Sequence, residues 1–128
     1  MTVNKNKTIS NIASKEIKIS NFAEKYFARL HQIFKGIDLN KLDKLEKVLL
    51  KARSNQNTIF VFGNGGSAAT ASTMANDLGF DILKKTSTKK PFKFFALTDN
   101  TPVITAISND VGYENVILNQ LKIHFKKN

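Results

Sequence analysis

The spacing of apolar residues predicts that the chain begins with two amphipathic helices. The polar stretch 1–14 has no periodicity and is expected to be a disordered tail. A first helix is expected from Ile19 to Gly36, and a second after Asp38, a suitable N-cap, as far as the polar stretch 54–57. The apolar positions recur every three or four residues, at Phe22, Ala23, Tyr26, Leu30, Ile33 and Phe34, and then at Leu39, Leu42, Leu45, Leu49 and Ala52.

The middle of the chain predicts a strand, a helix and a second strand. Residues 58–62 (TIFVF) are apolar without alternation, which is typical of a strand covered on both faces. A glycine turn, residues 63–67 (GNGGS), leads into a predicted helix over 68–78. A lysine-rich loop closed by Pro91 precedes a second buried strand at 92–97. Two such strands around one helix are expected to be parallel, joined by a right-handed crossover.

The last part of the sequence predicts helices and no further strand. A short helix is expected over 101–107, with Pro102 in its first turn. A final helix is marked by Tyr113, Val116, Ile117, Leu121 and Phe125. Because a parallel sheet needs more than two strands to be stable, the pattern indicates an incomplete α/β domain, or one that another chain completes.

Composition narrows the class of protein. Of the 128 residues 41% are hydrophobic, but no run approaches the roughly 20 apolar residues of a membrane span, and the polar first fifteen residues do not form a signal peptide. A cytoplasmic location is therefore expected. The chain has no cysteine, which excludes thiolate metal sites, and its two histidines, His31 and His124, are both expected on helix surfaces.

The net charge of +10 raises the question of an anionic partner. The lysines are spread over the tail, the second helix, the loop before Pro91 and the end, and only Arg29 and Arg53 are arginines. No recognition helix or aromatic RNA-binding motif accompanies them, so nucleic acid is not the favoured partner. A small anionic molecule suits the charge equally well.

The glycine turn is the strongest candidate site in the sequence. It joins the carboxyl end of a strand to the amino end of a helix, where open α/β sheets bind ligands and free N–H groups face an anion. Gly63, Gly65 and Ala68 also fit the start of a dinucleotide fingerprint, but the acidic residue that should end the next strand about 20 residues later is missing. A P-loop is excluded because no Gly-Lys-Ser/Thr follows.

Four runs of residues resemble SIS-type phosphoheptose isomerases in order and spacing. They are 60–69 (FVFGNGGSAA), 75–78 (ANDL), 96–100 (ALTDN) and 108–113 (SNDVGY), and the resemblance covers about 20–125. It implies a SIS-like parallel sheet flanked by helices, apparently truncated, with 15–128 as a partial SIS domain. It also implies interconversion of sedoheptulose 7-phosphate and a heptose 7-phosphate aldose, in assemblies of several subunits.

The resemblance also implies a set of site residues. The substrate-binding positions are Asn64, Gly65, Gly66, Ser67, Asn109 and Asp110. The family's His-x-x-x-Glu pair, which serves zinc binding and acid/base chemistry, falls on Thr73 and Asp77. Asp77 is therefore the candidate acid/base residue. Zinc is implied as a cofactor, but threonine in place of histidine is a poor zinc ligand.

Three interpretations remain open at this point. The chain is a sugar-phosphate isomerase relative, a sugar-phosphate-binding SIS module without catalysis, or a truncated remnant. The family's loop that holds the sugar phosphate follows a strand beyond Asn128, so neighbouring subunits or a completing partner chain are expected to contribute groups. We also expect a homo-oligomer that buries the helical face.

Overall fold

The computed structural model describes residues 18–126, so the predicted tail 1–14 lies outside the described residues. The chain divides between Asp43 and Lys44 into two compact units. Within the described part, no helix is long and apolar enough to cross a membrane.

The first unit contains the first predicted helix and the start of the second. Helix α1 spans Ile19–Lys35 and helix α2 spans Leu39–Ser54. Asp38 accepts a hydrogen bond from the backbone N–H of Asn40 at 3.0 Å, which confirms it as the N-cap of α2. Both helices agree with the apolar spacing. On α1 the aromatic side chains of Phe27 and Phe34 are 65% and 61% exposed, so part of its apolar surface is uncovered.

The second unit contains a two-stranded parallel sheet. Strand β1 spans Thr58–Val61 and pairs with β2, Lys93–Ala96, in the register Thr58 to Lys93 and Val61 to Ala96. The predicted parallel pairing is confirmed, although each strand is shorter than its apolar run. Phe62 and Leu97 lie just beyond the strands, and the Leu97 N–H still donates to the Val61 carbonyl at 2.9 Å.

The connection between the strands is more helical than its composition indicates. Helix α3 spans Gly66–Ala75, a π-helical turn follows at Asn76–Asp81, and helix α4 spans Ile82–Thr86. The prediction of a lysine-rich loop before Pro91 that includes Lys84 and Lys85 is therefore wrong at these two residues, since both lie in α4. The segment 80–86 contains neither glycine nor proline to end the helix, which ends at Ser87 with a left-handed φ of 49°.

After β2 the chain forms two further helices. Helix α5 spans Thr101–Val111, four residues longer than predicted, and Asn100 caps it by accepting from the Val103 N–H at 3.2 Å. A 3₁₀ turn at Tyr113–Asn115 leads into helix α6, Val116–His124. Gly112, with φ of +97°, separates the two helices.

The buried centre of the second unit is small. Its buried apolar residues are Ala71, Ala96, Leu97 and Val116. Gln120 of α6 is also buried, and its side-chain amide donates to the carbonyl of Leu97 at 2.9 Å. This bond ties α6 to the carboxyl end of β2, the end of the sheet at which the glycine turn follows β1.

Candidate functional site

The glycine turn has a backbone geometry that dictates glycine at two positions. A Cβ atom on Gly63 would lie 2.5 Å from Cβ and 2.8 Å from the carbonyl oxygen of Ser67, closer than non-bonded atoms approach. Gly65 has φ of +54°, in the left-handed region. Gly66 is already helical and has open space around it. The turn therefore needs Gly63 for close packing and Gly65 for its backbone conformation.

The same turn offers hydrogen-bond donors at the amino end of α3. Within it, the Ser67 N–H donates to the Asn64 carbonyl and the Ala68 N–H to the Gly65 carbonyl, both at 3.0 Å. The N–H groups of Gly65 and Gly66 have no partner among residues 18–126. Unpaired donors at the positive end of a helix dipole favour an anion or a sugar oxygen.

Asn64 connects the turn to a distant part of the chain. Its Oδ1 accepts a hydrogen bond of 2.6 Å from the hydroxyl of Tyr113, 49 residues later. Tyr113 begins the 3₁₀ turn that follows α5. The carboxyl end of α5 is therefore held beside the glycine turn.

Asn109 and Asp110 occupy that end of α5. Both are exposed, and the Asn109 side-chain amide donates to the Asp110 carboxylate at 3.0 Å. Tyr113, three residues after Asp110, is the residue of this stretch whose side chain reaches the turn. The hydrogen bond of Tyr113 to Asn64 thus connects the stretch that carries this pair to the glycine turn.

Thr73 and Asp77 lie four residues apart along the helix that follows the turn. Together with neighbouring side chains they line an open depression of about 420 Å³. The Thr73 hydroxyl donates to the Ala69 carbonyl at 3.0 Å, and Asp77 accepts from the side-chain amide of Asn76 at 3.0 Å. Asp77 is the second residue of the π-helical turn, a rare conformation that is frequent at functional sites.

The residues at this helix face do not fit a zinc ion. In the described part of the chain no group of three or more His, Cys, Asp or Glu side chains could hold a metal. His31 and His124 are exposed on α1 and α6, as expected from the sequence, and the ring of His124 lies 5.0 Å from that of Phe95. Threonine and a single carboxylate fall short of the ligand set that zinc requires.

Three side chains near the site are not identified as site residues by the sequence pattern. Tyr113 fits the pattern as an apolar position of the last helix. Asp99 lies three residues after the carboxyl end of β2, a position that could have marked it. Ser72, whose hydroxyl hydrogen-bonds to Asp99, carries no such signal, because serine in a helix usually bonds only to its own backbone.

Known proteins provide an independent comparison. The family model described as the SIS domain matches residues 21–127. A probable phosphoheptose isomerase of Thermoplasma volcanium is 36% identical over 72% of this chain and 45% of its own length. The phosphoheptose isomerase of Aquifex aeolicus is 35% identical over 59% of this chain and 38% of its own.

A solved structure gives the same result for the fold. Phosphoheptose isomerase GmhA from Neisseria gonorrhoeae superimposes with a TM-score of 0.71 and 26% identity, over 85% of this chain and 56% of the GmhA chain. The chain spans about half the length of the relatives it matches. Because the SIS domain model covers most of the sequence and an isomerase of that kind shares its fold, the chain belongs to the SIS domain family, with an α/β fold like that of phosphoheptose isomerases.

Proposed function

We propose that the glycine turn binds a sugar phosphate, and that the chain acts in the interconversion of sedoheptulose 7-phosphate and a heptose 7-phosphate aldose. The observation that carries the proposal is the glycine turn itself, with unpaired N–H donors at the amino end of α3. The names of the related proteins supply the substrate class.

Three residues of the turn and two residues of α5 have proposed roles that follow from their chemistry. The N–H groups of Gly65 and Gly66 and the hydroxyl of Ser67 would donate to oxygens of the sugar phosphate. Asn109 and Asp110 would bind sugar hydroxyls, since an amide and a carboxylate can together donate and accept. The net charge of +10 favours the approach of an anionic substrate.

Asp77 is the proposed acid/base residue. Aldose–ketose isomerisation moves a proton between adjacent sugar carbons, and a positioned carboxylate can accept and return that proton. Asp77 is one methylene shorter than the glutamate that the family resemblance implies, so its carboxylate must approach the substrate more closely.

Zinc is not part of the proposed chemistry. The side chains at Thr73 and Asp77 do not make a zinc site, and every proposed step uses groups of the chain itself.

A second candidate function is a sugar-phosphate-binding module without catalysis. The observation that favours it is Thr73, whose hydroxyl is bonded to its own helix and offers neither a metal ligand nor a base. Under this alternative the glycine turn keeps its role and Asp77 is a solvated helix residue.

One experiment separates the two functions. The purified chain is incubated with sedoheptulose 7-phosphate, with and without zinc, while aldose formation and the thermal shift are followed in the same samples. We expect turnover that falls about 100-fold or more in Asp77→Asn, with the thermal shift retained. Thermal stabilisation without turnover would support the binding module. A folded sample that gives neither signal would contradict both functions.

The location, the domain extent and the oligomeric state of the chain are also proposals. We propose a cytoplasmic protein, because its proposed substrate is a charged metabolite, with residues 15–128 belonging to one SIS domain. The exposed apolar side chains of α1, including Phe27 and Phe34, support a homo-oligomer. Light scattering on the purified chain would test this, and a monomer at micromolar concentration would contradict it.

A further inference from the structure

The hydrogen bond between Tyr113 and Asn64 joins two segments that are far apart in sequence. The Tyr113 hydroxyl lies 2.6 Å from Oδ1 of Asn64, although the tyrosine residue is 58% exposed. A surface tyrosine has no need of a partner other than water, so burial does not account for this contact. Its position at the glycine turn points to a role at the site.

The backbone around Tyr113 is held so that its side chain reaches the turn. Gly112 has φ of +97°, in the left-handed region that favours glycine. The Asn115 side-chain amide donates to the Val111 carbonyl at 2.7 Å. Further along α6, the buried Gln120 fixes that helix to the end of β2. These contacts restrain the backbone on both sides of Tyr113.

The contact has a consequence for the amide of Asn64. A side-chain amide has one acceptor oxygen and one donor NH₂ group, and a rotation by 180° exchanges them. A hydroxyl that donates to Oδ1 holds the oxygen on the side of Tyr113 and leaves the NH₂ group on the other side. No described residue accepts a hydrogen bond from that NH₂ group, so it is available to a ligand.

We propose that Tyr113 is a positioning residue that orients the Asn64 amide, so that its NH₂ group donates to an oxygen of the ligand bound at the glycine turn. This proposal rests on the proposed function for the nature of that ligand. It assigns to Tyr113 an action through Asn64, without contact between the tyrosine and the ligand.

The orienting contact is tested first without any ligand. The Asn64 NH₂ resonances in a ¹⁵N–¹H spectrum are identified by their loss in Asn64→Asp. In Tyr113→Phe, which removes only the hydroxyl, these resonances should shift. The matched control is Tyr26→Phe, at the other tyrosine of the sequence, which lies on α1 and should leave them unchanged. An unchanged NH₂ pair in Tyr113→Phe would overturn the proposal.

The consequence for binding is tested by titration with sedoheptulose 7-phosphate. Losing one hydrogen bond that orients a donor should raise Kd about 3- to 10-fold in Tyr113→Phe, with Tm close to that of Tyr26→Phe. In an Asn64→Ala background the same substitution should change Kd less than about 2-fold, because the group it orients is gone. A purely structural role of Tyr113 would give equal effects in both backgrounds and would overturn the proposal.

The resonance test and the titration together distinguish a failure of this proposal from a failure of the proposed function on which it rests. If the unmodified chain does not bind sedoheptulose 7-phosphate, the proposed function fails, and the NH₂ resonances still decide whether Tyr113 orients Asn64. If the unmodified chain binds and Tyr113→Phe has the same Kd as Tyr26→Phe, the positioning role fails and the proposed function stands.

Discussion

The helical segment after β1 has two regions of different chemistry, namely the glycine turn at its amino end and the pair Thr73 and Asp77 further along. At its amino end, the glycine turn is specified by the backbone, since Gly63 packs against Ser67 and Gly65 has a positive φ. Further along, Thr73 and Asp77 line an open depression with short polar side chains. The first region provides donors that belong to the main chain, whereas the second depends on which side chains are present.

Under the proposed function, this difference makes binding separable from chemistry. Backbone donors at a helix terminus persist whatever side chains surround them, provided that the turn keeps its glycines. Proton transfer requires one particular group in reach of the substrate. A sequence with this turn and with Thr73 and Asp77 therefore keeps the geometry for binding even if its catalysis is altered.

The largest effect on stability is expected at Gly63. In Gly63→Ala the added methyl group would overlap Ser67, so the free energy of unfolding should fall by about 3 kcal/mol and binding should be lost. The matched control is Gly66→Ala, where nothing lies within 4 Å and the change should stay within about 0.5 kcal/mol. Urea denaturation measures both. Equal stability of the two variants would show that the turn does not depend on close packing.

A smaller effect is expected at Gln120, which ties α6 to the carboxyl end of β2. Gln120→Met keeps the length of the side chain but leaves the Leu97 carbonyl without its donor, which should cost about 2 kcal/mol. Asn119→Ala is a suitable control, because the Asn119 side chain bonds only to Asn115 in the same stretch of chain. Thermal denaturation should lower Tm more for Gln120→Met, and the reverse order would contradict the assignment.

The smallest effects are expected at two adjacent positions of α3. Thr73→Ala removes a hydroxyl that bonds only to its own helix, so it should stabilise the protein by about 0.5 kcal/mol. Ser72→Ala also gains helix propensity but loses the bond to Asp99 in another segment, so its net change should be close to zero. Urea denaturation of both variants measures this difference. If Thr73→Ala were less stable than Ser72→Ala, the interpretation that Thr73 can be substituted without loss of stability would be wrong.

Much of the local structure could be predicted from the sequence. The helix of residues 19–35 follows from apolar residues every three or four positions, and Asp38 marks the start of α2. The glycine turn could also be recognised, because three glycines with asparagine and serine between a strand and a helix are typical of a turn that binds an anion.

The composition of other segments is misleading. A cluster of lysines before Pro91 favours a loop at Lys84 and Lys85, yet local propensity allows the helix to continue as far as Thr86. The π-helical turn at Asn76–Asp81 has no signal at all, since a shift from i→i−4 to i→i−5 hydrogen bonds leaves no mark in the residue pattern.

The sequence by itself determined both strands, the glycine turn, the candidate residues and the helices other than α4, because spacing, caps and glycine requirements act over a few neighbouring positions. Only the tertiary structure decided that Tyr113 meets Asn64 and that Gln120 meets Leu97. Contacts across 49 and 23 residues depend on how α5 and α6 pack against the end of the sheet. The spacing of residues along the sequence does not specify that packing. The contacts of Tyr113 and Gln120 could therefore be found only in the tertiary structure.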